Sequence, residues 1–265
     1  MSNETYTLTA AAAEAYEHTF VPALFRDWAE RLAPFAGATG NRSVLDVACG
    51  TGIVARTAAD RLDATQRVVG LDANPAMLAV ARRIRPEIEW VQGQAEALPF
   101  EDGSFDIVTS QAGLMFFADR AAALREMGRV AGAGTVAIQV PGRLAESAGY
   151  RALADVVARQ AGPDVVRLIS GYFAVGEPSL LYELCASAGL VVDAFQTWYG
   201  ATRLDSVETL IEVELLPIVD AVGEDVRRRI TDECRAALAP FIAHDGTVAA
   251  PIEVHLLRAS RGSSG

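Results

Sequence analysis

Lysine is missing from this chain, and all 23 basic residues are arginine. That absence removes the phosphate-reaching amine of a GxxxxGK[ST] loop and the amine needed for Schiff-base chemistry. Cysteine and histidine are scarce, at three each. Cys49, Cys185 and Cys234 form no CxxC pair and no zinc-ligand spacing, and their odd number suits a reducing compartment. His18, His244 and His255 make no HExxH pattern, so no metal is expected. No apolar run reaches the roughly 18 residues that cross a bilayer, which argues against a membrane partner. The first residues lack the basic-then-apolar order of a secretory signal, so a cytoplasmic protein is expected.

What the chain has in excess is acid. Its formal net charge is −11. Nucleic-acid binders draw most of their affinity from Lys/Arg contacts to phosphate, so no nucleic-acid partner is expected. Arg227, Arg228 and Arg229 form the single basic triplet, read as a solvated helix face. With 51% apolar residues in 265, the chain can bury one domain core, or one core with a modest cap.

The spacing of apolar residues predicts two leading helices, over 10–19 behind Thr9 as cap and over 22–36 from Pro22. Strands are predicted over 43–47, 67–71, 88–91, 105–109 and 135–140, with helices over 53–62, 75–83 and 121–130 between them. Such alternation means βαβ units and a mostly parallel, doubly wound sheet covered on both faces, an α/β fold. Beyond Pro141 the order loosens: helices near 144–161 and 178–188, a strand over 190–198, helical character over 205–243 interrupted near Pro217 and Gly223, and a last strand over 252–257. The tail 261–265 reads as disordered. Without an internal repeat or low-complexity linker, this organisation suggests leading helices over 1–40, a core over 41–142, and a remainder over 143–260. The helical insertions of that remainder fall near 143–175 and 205–245.

The chemistry concentrates at the end of the first strand. Gly50-x-Gly52-x-x-Ala55 is a glycine turn opening a helix, where backbone can approach a ligand and free N–H groups face an anion. Twenty residues after Gly52, Asp72 ends the second strand, placed to accept hydrogen bonds from ribose hydroxyls. These features alone fit a dinucleotide as well as an adenosyl ligand. Asp46 discriminates: a carboxylate four residues before Gly50 would repel a pyrophosphate but suits the ammonium of an amino-acid moiety. Short-chain oxidoreductases also need a lysine that is absent here. Cys49, beside the glycines, is either a nucleophile or a small residue filling a tight turn.

The segments VLDVACGTGIVA, VVGLDANPAMLAVAR, VQGQAEALPFEDGSFDIVTS and LREMGRVAGAGTVAI run in order over about residues 42–140. Together they resemble the class I methyltransferases that use S-adenosylmethionine (SAM), of the ubiquinone/menaquinone-biosynthesis-like branch acting on small molecules. The resemblance implies a Rossmann-like, seven-stranded sheet with a helical cap. It implies that Asp46, Ala48, Gly50 and Gly52 line the methionine part of SAM, that Asp72 holds the ribose, and that Ala73 and Met77 pack near adenine and ribose. Gln94, Ala95 and Glu96 correspond to the adenine-edge motif, with Gln94 where the family usually has Asp. Ser110 and Gln111 correspond to the strand end beside the methionine amino group and the acceptor. Tyr16 is the candidate for the N-terminal tyrosine that closes over SAM.

Displacement at a sulfonium mainly requires alignment, and a base is needed only when the nucleophile must lose a proton. Catalytic candidates are therefore few: His18 and His244, which fall in predicted cap segments, and Gln111. The sequence Ser110-Gln111-Ala112-Gly113 lacks the (D/N)PP(Y/F) motif of enzymes that methylate base amines or amide nitrogens. The expected partner is a small, mainly apolar acceptor methylated at O, N or C, with Phe20, Phe25, Trp28, Met115, Phe116, Phe117, Tyr172 and Phe173 as candidate lining. A non-catalytic SAM-binding module and a dinucleotide-dependent oxidoreductase stand as alternatives. The acceptor, its methylated atom and the oligomeric state are left open by the sequence.

Overall fold

A computed structural model of the protein describes residues 9–215 and 222–262. Helix α1 (Ala10–Phe20) begins at Thr9, whose hydroxyl accepts from the Ala12 amide at 3.2 Å. Helix α2 (Arg26–Phe35) does not start anew at Pro22. A π turn over Val21–Phe25 joins the two helices, with the Arg26 amide reaching back to the Val21 carbonyl. Proline has no N–H to give the helical ladder, and the wider turn absorbs the missing bond. As a result Tyr16, Phe20, Phe25 and Trp28 meet, with ring centroids 5.4–6.4 Å apart.

The alternating segment follows: β1 (Val44–Val47), α3 (Ile53–Ala59), β2 (Val68–Asp72), α4 (Pro75–Ile84), β3 (Glu89–Gln92), β4 (Ile107–Gln111), α5 (Arg120–Ala131) and β5 (Thr135–Pro141). β1 is buried along its whole length, as expected of a strand covered on both faces. β4 begins two residues later than the apolar run predicts. Its ladder starts where the Ile107 amide donates to the Ser43 carbonyl, and just before that Asp106 accepts from the Ser43 amide and hydroxyl at 2.8 Å each.

After β5 come α6 (Ala148–Ala161), α7 (Pro163–Ser170), α8 (Pro178–Ser187), β6 (Leu190–Leu204), α9 (Val207–Leu215), α10 (Glu224–Leu238) and β7 (Val248–Arg261). The last two strands are longer than their predicted spans: β6 continues through mostly exposed or half-buried positions, whereas β7 gains the buried Val248, Ala250 and Ala259, alternating with more exposed neighbours. Arg261, expected in the tail, closes β7; residues 263–265 and the predicted break at Pro217 lie outside the described residues.

The sheet has seven strands in the order β3-β2-β1-β4-β5-β7-β6, with β1 to β5 pairing in parallel. Strand order reverses between β1 and β4, which opens a crevice beyond their carboxyl ends. The chain divides into two compact units: residues 1–140, 178–196 and 255–265, and residues 141–177 and 197–254. The second unit has its own core, in which Leu153, Val157, Leu210, Ile211, Ile230 and Leu238 are buried together. No described helix is long and apolar enough to cross a membrane.

Candidate functional site

The crevice in the first unit is shaped by backbone that leaves the sheet in the left-handed region. Ala48 after β1 has φ 57° and Ala112 after β4 has φ 52°, and neither is a glycine. Such conformations cost of order 1 kcal/mol in an L residue and cluster at functional sites. The two turns touch: a Cβ built on Gly113 would lie 2.8 Å from both Ala48 Cβ and Ser110 Oγ. Gly50 (φ 56°) and Gly52 (φ 90°) complete the turn into α3. At Gly52 a side chain would meet the Trp90 ring at 2.2 Å, so glycine is required by packing as well as by φ.

Asp46 is 1% exposed. Its Oδ2 accepts from the Ala55 amide at 3.2 Å and its Oδ1 from the Thr109 hydroxyl at 3.1 Å. Burial pushes its pKa up to about 7 against the pull of those two donors, with the Asp72 charge adding to the rise. A carboxylate in that condition gains most from a cation. Asp72 accepts from the Gly50 amide and the Asn74 amide, both at 2.8 Å, so it pins the glycine turn to the end of β2. Its pKa is raised by burial, with the two amides opposing. Each carboxylate oxygen keeps lone-pair capacity for a ligand hydroxyl.

Tyr16 lies over this turn. A Cβ on Gly50 would sit 3.8 Å from Tyr16 Cε1 and 3.9 Å from its hydroxyl oxygen. Burial, then the Asp72, Glu17 and Asp46 charges, hold the phenol protonated. Helix α1 is fastened on two sides: Glu17 pairs with Arg56 of α3 at 2.9 Å, and Ala13 shares an apolar cluster with Met77 and Val80 of α4. Met77 thus stands between α4 and α1, while Ala73 offers its carbonyl to the Gln92 amide group. Ala95 is buried and Gln94 exposed. Glu96 turns to the Ala118 amide at 2.8 Å and the Asp119 amide at 3.3 Å, tying its loop to the start of α5.

Several buried polar atoms at the crevice have no hydrogen-bond partner among the described residues: Thr51 Oγ1, Ser110 Oγ and Gln111 Oε1, joined by both amide atoms of Gln139. Buried polar groups are normally satisfied, so this set fits a bound polar ligand. Gln139 was invisible in the sequence because a single polar residue inside TVAIQVP reads as part of a buried strand. Thr51 gave no signal beyond its place between two glycines.

The titratable candidates differ in their surroundings. His18 is exposed, with Nδ1 2.8 Å from the Glu14 carbonyl oxygen, and His244 is exposed on the second unit. Cys49 is buried, burial holds its thiol well above the usual range, and Gly70 would meet its sulfur at 3.0 Å with any side chain. It fills the turn. Met115 is buried and Phe116 57% exposed. In the second unit Phe173 packs edge-on against Tyr150. Among the described residues no cluster of His, Cys, Asp and Glu could hold a metal.

Sheet order, glycine turn and the acid at the end of β2 are the arrangement with which open α/β sheets hold a nucleoside at the reversal of strand order. Residues 44–134 match the model of the family described as a methyltransferase domain. A demethylmenaquinone methyltransferase from Renibacterium salmoninarum is 44% identical over 105 residues, 40% of this chain and 43% of that protein, so the match spans less than half the relative's length. Whole-chain folds agree with the YcgJ protein of Bacillus subtilis (TM-score 0.60, 21% identity, 89% of this chain and 98% of that one). They also agree with a Haemonchus contortus phosphoethanolamine N-methyltransferase complexed with phosphomonomethylethanolamine and S-adenosylhomocysteine (TM-score 0.58, 17% identity, 96% and 58%). The seven-stranded sheet is thus the Rossmann-like methyltransferase fold.

Proposed function

We propose that this chain transfers the methyl group of SAM to an O, N or C nucleophile of a small, mainly apolar metabolite in the cytoplasm, with no nucleic-acid partner. The observation that carries the reading is Asp46, a fully buried carboxylate with only two neutral donors, next to a glycine turn that Asp72 locks open. In this reading Asp46 holds the ammonium of SAM, the turn from Ala48 to Gly52 lies along its methionine part, and Asp72 accepts from its ribose. Thr51 and Ser110 supply hydroxyls that the protein itself leaves unused. When bound, SAM supplies an electrophilic methyl group that is displaced directly from sulfur.

The protein's own work is orientation and exclusion of water. Tyr16 covers the glycine turn, and the aromatic cluster of Phe20, Phe25 and Trp28 extends that cover towards the end of β4, where Gln111 bonds the Phe25 carbonyl at 3.1 Å. Alignment of this kind can contribute several kcal/mol without any proton transfer. The name of the Renibacterium relative, which carries demethylmenaquinone, supports a ring-bearing apolar acceptor.

Calorimetric titration with SAM and S-adenosylhomocysteine tests the cofactor assignment; heat from neither removes it. A second reading, a SAM-binding module without catalysis, draws on the protonated state of Tyr16 and Cys49 and the exposure of His18, which leave the crevice without an evident base. Methyl transfer to any acceptor excludes it.

A further inference from the structure

Two glutamines at the carboxyl edge of the sheet carry polar atoms that the fold does not satisfy. Gln111 closes β4, Gln139 stands in β5, and the two are register partners. Register partners in a parallel sheet point to the same face, and residues two apart in a strand do so as well. Gln139 therefore shares a face with Gln111, Thr109 and, through the pairing of Asp46 with Thr109, the buried carboxylate. Gln139 is 0% exposed and Gln111 9%. Gln111 spends its Nε2 on the Phe25 carbonyl but leaves Oε1 unpaired, and Gln139 leaves both Nε2 and Oε1 unpaired.

An unpartnered buried amide destabilises a fold relative to an apolar side chain of the same length. β5 supplies no reason for one, since Val136, Ala137, Ile138 and Val140 are all buried and apolar. The cost has to be offset by something bound. What remains unspent is the whole Gln139 amide, with two N–H donors and a carbonyl, and the Gln111 carbonyl, with no charge. Asp46 on the same face disfavours an anion, and a cation would leave the Gln139 N–H unmet. A neutral hydroxyl donates and accepts at once, so it can accept from a Gln139 N–H while donating to the Gln111 carbonyl. The Phe25 carbonyl held by Gln111 belongs to the residue whose ring stacks on Tyr16 at 5.4 Å and meets Trp28 edge-on at 5.8 Å, so the surroundings suit an aromatic frame.

We infer that Gln139 and Gln111 are the acceptor-recognising pair of this chain, fixing a neutral ring hydroxyl or enol so that the nucleophilic atom faces the methyl donor. The inference rests on the methyltransferase reading above. It is tested on the whole chain saturated with S-adenosylhomocysteine, titrated with 1-naphthol and with 1-methoxynaphthalene, which keeps the ring but cannot donate. The wild type should prefer the hydroxyl by about tenfold or more, and Gln139→Met should shrink that preference to about threefold or less. The same variant should keep its S-adenosylhomocysteine affinity and gain about 2–4 °C in Tm, because it removes an unsatisfied buried amide. Gln139→Leu serves as the second variant, with the same expectation. An unchanged preference, no binding of either ring to the S-adenosylhomocysteine complex, or a fall in Tm in both variants overturns the inference. Failure of the wild type to bind S-adenosylhomocysteine overturns instead the cofactor reading beneath it.

Discussion

Asp46 makes cofactor binding a proton-linked event. In the free protein its carboxyl titrates near 7 because burial raises it from 3.8. That difference corresponds to about 4 kcal/mol set against the ionised form. A ligand ammonium placed beside it reverses the balance and drives the proton off. Affinity for SAM should then be flat above pH 7.5 and fall about tenfold for each pH unit below 7. Between pH 8 and pH 5.5 the predicted loss is about 30-fold, with close to one proton released per SAM bound at the low end. Calorimetry in two buffers of different ionisation enthalpy measures both quantities. Asp46→Asn should bind SAM weakly at every pH and lose the dependence. A dissociation constant that stays constant from pH 5.5 to 8, with no proton release, would refute the assignment of Asp46 to the ammonium.

The same group predicts the stability of the ligand-free protein. Its folded pKa lies above its unfolded one, so its contribution is complete below about pH 4 and is lost as pH rises towards 7; Asp46→Asn should therefore unfold at higher denaturant than wild type at pH 8 and not at pH 4. Asp72→Ala should weaken SAM by about tenfold or more, since it removes a charged acceptor and frees the Gly50 and Asn74 amides; unchanged affinity in a titration would remove its ribose role. Gly52→Ala should cost about 3 kcal/mol in urea unfolding, from φ +90° and the Trp90 contact together. Exchange of His18 or His244 for Gln should leave turnover within about twofold, as neither holds a buried position; a larger loss in either would make it the base.

The glycine turn, the acid before it and the acid after it were legible because their spacing is local: strand, turn and helix follow one another within 30 residues, and each step has its own residue signature. Parallel order was legible for the same reason, since strands alternating with helices leave a covered sheet as the packing solution. The π turn at Pro22 was not, because a proline reads alike as a helix start and as a missing donor that a neighbouring turn can absorb. Nor was the length of β6, where the strand runs on through positions with little hydrophobic signal.

By itself, then, the sequence determined the α/β class, the position of the glycine turn and the placing of Asp46 and Asp72, one carboxylate before it and one after. Only the tertiary structure decided their condition. It buried Asp46 deeply enough to move its titration to neutral pH, turned Asp72 onto the Gly50 amide, and aimed Glu96 at α5. It also set Gln139 beside Gln111, 28 residues away in the chain but one strand away in the sheet. Burial and register depend on what lies across the sheet, and no local pattern of residues carries that information.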